Sequence, residues 1–388
     1  MIVSFISLGC DKNRVNTEQM MALCLQSGMT VQEDCAGSDV VVVNTCGFID
    51  SAKLEAIETI LSVAELKAAG RVGKILVTGC LSQRYQAELL EELPEVDGIM
   101  GTGSYGEIVP ALSEMMAGGT PRRFADIHGM IDEFDRVLTT PGHYAYLRIA
   151  EGCDNRCSYC VIPSLRGKYR SRRMEDVLAE AKKLADAGVK ECIVIAQDIT
   201  RYGIDLYGER RLAALLRELC RLDFRWIRLH YLYPDEFTDE LIDTIAAEDK
   251  VLPYLDIPIQ HCNDKVLKAM NRRGGRKEIM KQLNKMKFQE ICAKGKDYEE
   301  LLYRECCHMV KTYMELSESD KAYNSTLFGI MKMSSERAKD KLKADIYDTA
   351  VVLPQTLKME EELGIVTRAA REMYELHFPG EGSLGADR

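Results

Sequence analysis

A repeated unit in residues 1–117 constrains the fold more than any other feature of the sequence. Each unit consists of an apolar run, a tight turn and an amphipathic helix. Continuous Val/Ile-rich runs that alternate with helical patterns are typical of a parallel sheet covered by helices on both faces. The sequence therefore predicts an α/β first domain over residues 1–117. Its predicted strands are Ile2–Ser7, Asp39–Asn44, Lys74–Thr78 and Val96–Met100.

A cysteine follows each of the first three predicted strands within two or three residues, at positions 10, 46 and 80. Because the carboxyl ends of parallel strands share one edge of a sheet, we expect these cysteines to converge there. Packing as small apolar side chains is the alternative, but the repeated positions favour ligands of an iron–sulfur cluster. An adjacent glycine gives the backbone room near each one. The cysteines are Cys10, Cys46 and Cys80, and the glycines are Gly9, Gly47 and Gly79.

A second alternating pattern begins at residue 144, after a Gly- and Pro-containing stretch (118–143) that we predict to be a linker. Four strands at this spacing indicate a partial (β/α) barrel over residues 144–279, with its site at the carboxyl ends of the strands. Beyond residue 279, helical patterns predict a separate helical C-terminal segment, 280–388. The predicted strands of the partial barrel are Tyr144–Ala150, Glu191–Ala196, Trp226–Tyr231 and Pro253–Pro258.

The strongest chemical signal is a CxxxCxxC motif, Cys153, Cys157 and Cys160, directly after the first predicted barrel strand. A [4Fe–4S] cluster usually has four cysteine ligands. When only three thiolates hold it, one iron stays open and can chelate S-adenosylmethionine. Tyr159 is then placed to lie against the adenine. A structural zinc site normally has four ligands, and a redox dithiol needs only two cysteines. The motif therefore favours a radical S-adenosylmethionine site.

The net charge and the N-terminal sequence limit the binding partners and the cellular location that we expect. A net charge of −10 argues against a broad electrostatic grip on nucleic acid or anionic lipid. The basic stretch Arg166–Arg173 is left unassigned, because most charge runs are solvated. The sequence shows no signal-peptide pattern and no apolar run long enough to span a membrane. We therefore expect a cytoplasmic protein, whose cysteines are free thiols or metal ligands.

Several long runs in residues 1–279 resemble the methylthiotransferase family of radical S-adenosylmethionine enzymes. They include ISLGCDKNRVNTE, VVVNTCGFID and KILVTGCLSQRY in the first domain, and EGCDNRCSYCVIPSLRGKYRSR in the second. The runs AQDITRYG and YLDIPIQH are closer to the RimO type, which modifies an aspartate of a small-subunit ribosomal protein. The tRNA-modifying MiaB type is the alternative.

The resemblance implies two [4Fe–4S] clusters and S-adenosylmethionine as cofactors. The first three cysteines match the auxiliary-cluster ligands of the family, and the CxxxCxxC cysteines match its radical-cluster ligands. Gln197 and Asp198 match a stretch close to the cofactor, and Gln260 is a weaker match; for all three an ordinary loop or strand-end cap is the alternative. The implied partners are the ribosomal protein and an electron donor such as flavodoxin or ferredoxin, with no membrane, and with tRNA only in the alternative.

The resemblance stops after Ile279. Family members continue with two more barrel strands and a small β-barrel (TRAM) domain, and neither pattern follows here. An inactive cluster-binding paralogue is therefore a second alternative. An open four-stranded sheet would expose an apolar face, and we expect the helical segment to cover it.

Overall fold

Strands and helices alternate along residues 1–285, the part of the chain that the computed structural model describes. These residues lie in a single compact unit. The first half contains β1 (Ile2–Ser7), α1 (Asp11–Gln26), β2 (Thr30–Gln32), β3 (Val40–Thr45), α2 (Asp50–Ala68), β4 (Lys74–Gly79), α3 (Cys80–Tyr85), α4 (Ala87–Glu92), β5 (Gly98–Met100), α5 (Ile108–Met116) and β6 (Arg122–Arg123). The second half contains β7 (Tyr144–Arg148), β8 (Ala150–Glu151), α6 (Ile162–Arg166), β9 (Arg170–Ser171), α7 (Met174–Asp186), β10 (Glu191–Ile195), α8 (Ile204–Tyr207), α9 (Leu212–Leu219), β11 (Trp226–His230), α10 (Asp239–Ala247), β12 (Val251–Leu255), α11 (Asp264–Ala269) and α12 (Arg276–Lys285).

The first sheet is built around β3, which is buried along its whole length. All six strands are parallel, in the order β2-β1-β3-β4-β5-β6. Because successive side chains of a strand point to opposite faces, Val40 and Val42 pack with α1 and α5, whereas Val41 and Val43 pack with α2. The predicted parallel α/β sheet, covered on both faces, is confirmed.

The second sheet has four parallel strands in the order β12-β11-β10-β7. On β10, Cys192 and Val194 belong to the large apolar cluster that also contains residues of α7, α9 and α10. The short strands β8 and β9 pair antiparallel beside this sheet. An antiparallel pair was not among the predicted elements. The α/β pattern of parallel strands covered by helices is as predicted, and β12 starts two residues before its predicted start.

The inner face of the second sheet is covered in part by α1, a helix of the first half. Val15 packs against Ile193 and Ile195 on that face. At the end of β11, the Lys12 ammonium lies 4.4 Å from the centre of the Tyr231 ring. The sequence had offered only the C-terminal segment as cover for this face, and the contribution of α1 was not predicted. That segment, apart from residues 280–285 at the end of α12, lies outside the described residues.

The stretch predicted as a linker, residues 118–143, is tied to both halves. It contains β6, which extends the first sheet, and the buried side chain of Arg136. The Arg136 guanidinium lies 3.0 Å from Glu18 on α1 and 2.8 Å from Glu180 on α7. Its Nη2 also donates to the carbonyl oxygen of Tyr146 on β7. This side chain therefore holds α1, α7 and β7 together.

No helix within residues 1–285 combines the length and the apolar character that a membrane span requires.

Arg136 provides a test of this connection. Arg136→Ala leaves the buried Glu18 carboxylate without its cationic partner. We therefore expect a loss of about 3 kcal/mol in the free energy of unfolding. This is near the lower end of the range for breaking a buried ion pair, because Glu180 still pairs with Arg172. Urea unfolding of the iron-free chain, followed by far-ultraviolet circular dichroism, measures it. Arg173→Ala is the matched control: its ion pair with Asp176 is largely exposed, so its loss should change the free energy of unfolding far less than the loss of Arg136. Equal losses in the two variants would contradict the role given to Arg136.

Candidate iron–sulfur and cofactor site

Cys10, Cys46 and Cys80 follow three neighbouring strands, β1, β3 and β4. Because these strands are parallel and adjacent, their carboxyl ends bring the three cysteines to one edge of the sheet. Gly9 has a φ of +81°, and a Cβ at this position would lie 2.7 Å from the Cys46 Cβ. A Cβ on Gly47 would likewise lie 2.9 Å from the Cys80 carbonyl oxygen. The glycines therefore let the three cysteine loops pack closely on one another.

The three thiols of this first group differ in burial. Cys10 is exposed, Cys46 is half-buried and Cys80 is buried, and all three are free. Burial raises the pKa of the Cys46 and Cys80 thiols, and the nearby Arg166 guanidinium opposes that rise. Since metal ligation requires the thiolate, the positive charge of Arg166 favours the ligating form.

Asn13, in the first turns of α1, fixes the loops that carry the first group. Its Nδ2 donates to the carbonyl oxygens of Leu8 and Thr45, each at 3.0 Å. Its Oδ1 accepts a hydrogen bond from Arg166. Asn13 is fully buried, and sequence reasoning missed it because an asparagine in the first turns of a helix is an ordinary surface residue.

Cys153, Cys157 and Cys160 form the second group, on the loop between β8 and α6. Cys153 and Cys157 are buried and Cys160 is half-buried; all three are free thiols. The Cys153 amide donates to the Gly167 carbonyl oxygen at 3.1 Å, and the Cys160 amide donates to the Cys157 carbonyl oxygen at 3.0 Å. Burial raises the pKa of Cys153 to about 11, so this thiol is protonated until a metal displaces the proton.

Arg272 lies over the second group. Its Nη1 is 3.8 Å from the Cys157 Sγ, and its Nη2 donates to the Pro258 carbonyl oxygen at 2.6 Å. The guanidinium also lies 4.4 Å from the centre of the Tyr233 ring. Cys157, Tyr233 and Arg272 together line a cavity of about 290 Å³. The structure therefore places a cationic, aromatic wall beside this cysteine, and the sequence motif had not indicated it.

The predicted cofactor residues lie in different surroundings. Gln197 and Asp198 lie two and three residues beyond the end of β10, near Glu151 and Cys153. Gln260 is exposed, five residues beyond the end of β12. The Gln197 Oε1 and the Asp198 Oδ2 are buried without a hydrogen-bond partner within residues 1–285. Burial raises the pKa of Asp198 to about 7. Tyr159 is 45% exposed. Partial burial of its hydroxyl and the neighbouring Cys157 thiol both raise the pKa of Tyr159.

A buried network of ion pairs, which we call the joint, connects the two cysteine groups. It consists of Arg148, Glu151 and Arg166. The Glu151 carboxylate lies 3.1 Å from Arg148 and 3.3 Å from Arg166, and it accepts a hydrogen bond of 2.5 Å from Gln197. Burial alone would raise the pKa of Glu151, but the two guanidiniums and this hydrogen bond lower it to about 2. The carboxylate is therefore ionised, two residues before Cys153. Arg166 belongs to the basic stretch that the sequence left unassigned.

Neither cysteine group is arranged as a site for a single ion. Within the described residues, no three His, Cys, Asp or Glu side chains converge closely enough to hold one metal ion. In a [4Fe–4S] cluster, by contrast, each cysteine binds a different iron atom, so the sulfurs stand further apart.

Three family models match successive parts of the chain. The uncharacterized protein family UPF0004 matches residues 2–101, the radical SAM superfamily matches residues 147–289, and a family of unknown function, DUF6553, matches residues 257–387. The first two matches coincide with the parts that carry the two cysteine groups. The second and third overlap over residues 257–289.

The solved structure of TsrM, a radical S-adenosylmethionine methyltransferase from Kitasatospora setae, has a similar fold. Its TM-score is 0.54, at 14% sequence identity, over 75% of this chain and 65% of that one. This similarity concerns the fold alone.

Curated relatives are much more similar in sequence. The ribosomal protein uS12 methylthiotransferase RimO of Clostridioides difficile (strain 630) is 49% identical over 284 residues, which are 73% of this chain and 64% of the relative. The chain thus spans just under two thirds of that protein. RimO of Clostridium tetani (strain Massachusetts / E88) is 40% identical over 399 aligned positions, covering 98% of this chain and 87% of the relative. By these matches, the chain belongs to the RimO family of ribosomal protein uS12 methylthiotransferases.

Proposed function

We propose that this chain is a radical S-adenosylmethionine methylthiotransferase that adds a methylthio group to an aspartate of the small-subunit ribosomal protein uS12. In this proposal residues 1–117 hold an auxiliary [4Fe–4S] cluster through Cys10, Cys46 and Cys80. Residues 144–279 hold a second cluster through Cys153, Cys157 and Cys160. Residues 118–143 connect the two parts, and residues 280–388 form a further segment.

The observation that carries the proposal is the pairing of two three-cysteine groups through one buried joint. Each group lies at the carboxyl side of a parallel sheet, and each is made of free thiols. The Arg166 guanidinium contacts Cys80 on one side and Glu151, beside the second group, on the other. Insertion of sulfur at a C–H bond and methylation of that sulfur would use two cofactor sites that serve the same substrate, and the pairing of the two groups supports this arrangement.

The residues of the second group fit a cluster with an open iron. Three thiols at CxxxCxxC spacing on one loop supply three of the four ligands that such a cluster usually takes. When bound, this cluster chelates S-adenosylmethionine and supplies the electron that cleaves it to a 5′-deoxyadenosyl radical. Arg272 lies beside Cys157 and helps to shield that side of the loop from water.

Two acceptors near the second group that lack a donor within residues 1–285 fit the cofactor. A buried oxygen without a donor is costly unless a ligand supplies one. Gln197 Oε1 and Asp198 Oδ2 would accept from the amino and hydroxyl groups of S-adenosylmethionine. The partly exposed ring of Tyr159 is available for the adenine. Gln260, exposed beyond β12, would complete the rim of the site.

The proposal implies two macromolecular partners in the cytoplasm. One is the ribosomal protein. The other is an electron donor such as flavodoxin or ferredoxin, because the second cluster must be reduced by one electron before each cleavage.

Methylthiolation of uS12 is the direct test of the proposed function. The full chain is reconstituted anaerobically with iron and sulfide, then incubated with S-adenosylmethionine, a reductant and purified uS12. We expect mass spectrometry to find one methylthio group on a single aspartate of uS12. A parallel incubation with tRNA is the control for the alternative substrate. Modification of tRNA alone, or of neither substrate despite full cluster loading, would contradict the proposal.

The iron content of cysteine variants tests the two-cluster assignment. The wild-type chain should hold about eight iron atoms, and Cys157→Ala and Cys46→Ala should each hold about four, because each change removes a ligand of one cluster only. Cys262→Ala, at an exposed cysteine outside both groups, is the matched control and should keep about eight. Iron and sulfide analysis with electron paramagnetic resonance measures this. Loss of all iron from either variant with an unchanged circular dichroism spectrum would show that the sites are not independent.

A further inference from the structure

Arg166 is the buried cation that touches the first cysteine group. It is the last residue of α6, and its side chain is 3% exposed. Its Nη2 lies 3.5 Å from the Cys80 Sγ, within the range of a hydrogen bond to sulfur. Its Nη1 lies 3.3 Å from the Glu151 Oε2. One guanidinium therefore joins a thiol of the first half to the carboxylate beside the second cysteine group.

Two asparagines of α1 fix the orientation of this guanidinium. Asn16 Oδ1 accepts from Nη1 at 2.9 Å, and Asn13 Oδ1 accepts from Nη2. Both asparagines are buried. Because the four partners of Arg166 lie on three different elements, α1, α3 and β8, the side chain cannot leave Cys80 without breaking a buried network.

The joint carries a net positive charge next to the Cys80 thiol. Arg148 and Arg166 supply two positive charges, and Glu151 supplies one negative charge, so one positive charge is unmatched within this triad. The triad is buried, where charges act strongly on their neighbours. A thiolate at Cys80, or a cluster bound to it, is the group that this charge faces.

A cation that donates a hydrogen bond to a cysteine ligand changes the reduction potential of the bound cluster. Hydrogen bonds to the sulfurs and the local charge are among the factors that set the reduction potential of an iron–sulfur cluster. The reduced cluster carries one more negative charge than the oxidised one, so a guanidinium at the sulfur stabilises the reduced form more.

We propose that Arg166 is a positioning residue that raises the reduction potential of the cluster bound by Cys80 and ties that cluster to the loop of the second one. The proposal rests on the proposed function, because it takes Cys80 as a cluster ligand. Through Glu151 the same guanidinium is linked to Gln197, so the charge state at Cys80 is coupled to residues that flank the second cysteine group.

The test isolates one cluster in the full-length chain. Cys153, Cys157 and Cys160 are all changed to Ala, so that the parent variant holds the auxiliary cluster alone. Iron content is measured first, and the reduction potential is then determined by anaerobic titration followed by electron paramagnetic resonance. In this parent, Arg166→Met should shift the potential to a lower value, and Arg166→Lys, which keeps the charge, should recover part of the shift.

Arg148→Met is the matched control. Arg148 is as buried as Arg166 and pairs with the same carboxylate, but it donates to Gln19 and not to a cysteine. Because Arg166 donates to the Cys80 sulfur and Arg148 does not, replacement of Arg148 should lower the potential of the parent by less than Arg166→Met does. Equal shifts in Arg148→Met and Arg166→Met would assign the effect to Glu151 and would contradict the proposal.

The remaining outcomes also decide the matter. A potential unchanged in Arg166→Met, with full iron content, overturns the role of Arg166 and leaves the cluster assignment intact. A parent that takes up no iron overturns the assignment of Cys80, and this proposal with it. If Arg166→Met does not fold, Arg166→Gln, which keeps a donor and loses the charge, replaces it; an unchanged potential in that variant contradicts the proposal.

Discussion

The buried carboxylate of Glu151 is the interaction on which the two halves of the described structure depend. It lies between the guanidiniums of Arg148 and Arg166, at 3.1 Å and 3.3 Å. A buried charge is costly unless its partners are well placed, so this triad tolerates little change in the relative position of β7, β8 and α6. The Arg148 guanidinium also reaches Gln19 on α1 at 3.2 Å. The joint therefore determines where the second cysteine group lies relative to the first.

Helix α1 is the element that the two halves share. Its apolar side packs on the first sheet through Met20 and Cys24, and Val15 packs on the inner face of the second sheet. Its buried polar residues, among them Asn13 and Glu18, contact α6 and residues 118–143. A helix buried on two sides explains why a half-open second sheet has a stable cover within the described residues.

Local sequence patterns predicted the sheets and the convergence of the cysteines, because Val/Ile-rich runs and parallel strand ends are local features with fixed geometric consequences. They did not predict the joint. The stretch Arg166–Arg173 has the composition of a solvated charge run, yet Arg166 and Arg172 are buried by residues distant in sequence. Contacts with segments distant in sequence decide whether a charged side chain is buried and what covers a sheet. A single sequence does not show which segments make those contacts.

Radical initiation by the second cysteine group is the central claim, and formation of 5′-deoxyadenosine measures it most directly. The full chain is reconstituted without oxygen, reduced and given S-adenosylmethionine, with no ribosomal protein present. We expect 5′-deoxyadenosine and methionine to form in equal amounts, and we expect Cys157→Ala to form neither. A chain that holds two clusters by iron count and spectroscopy, yet cleaves no S-adenosylmethionine, would contradict the account and favour a cluster-binding protein without turnover.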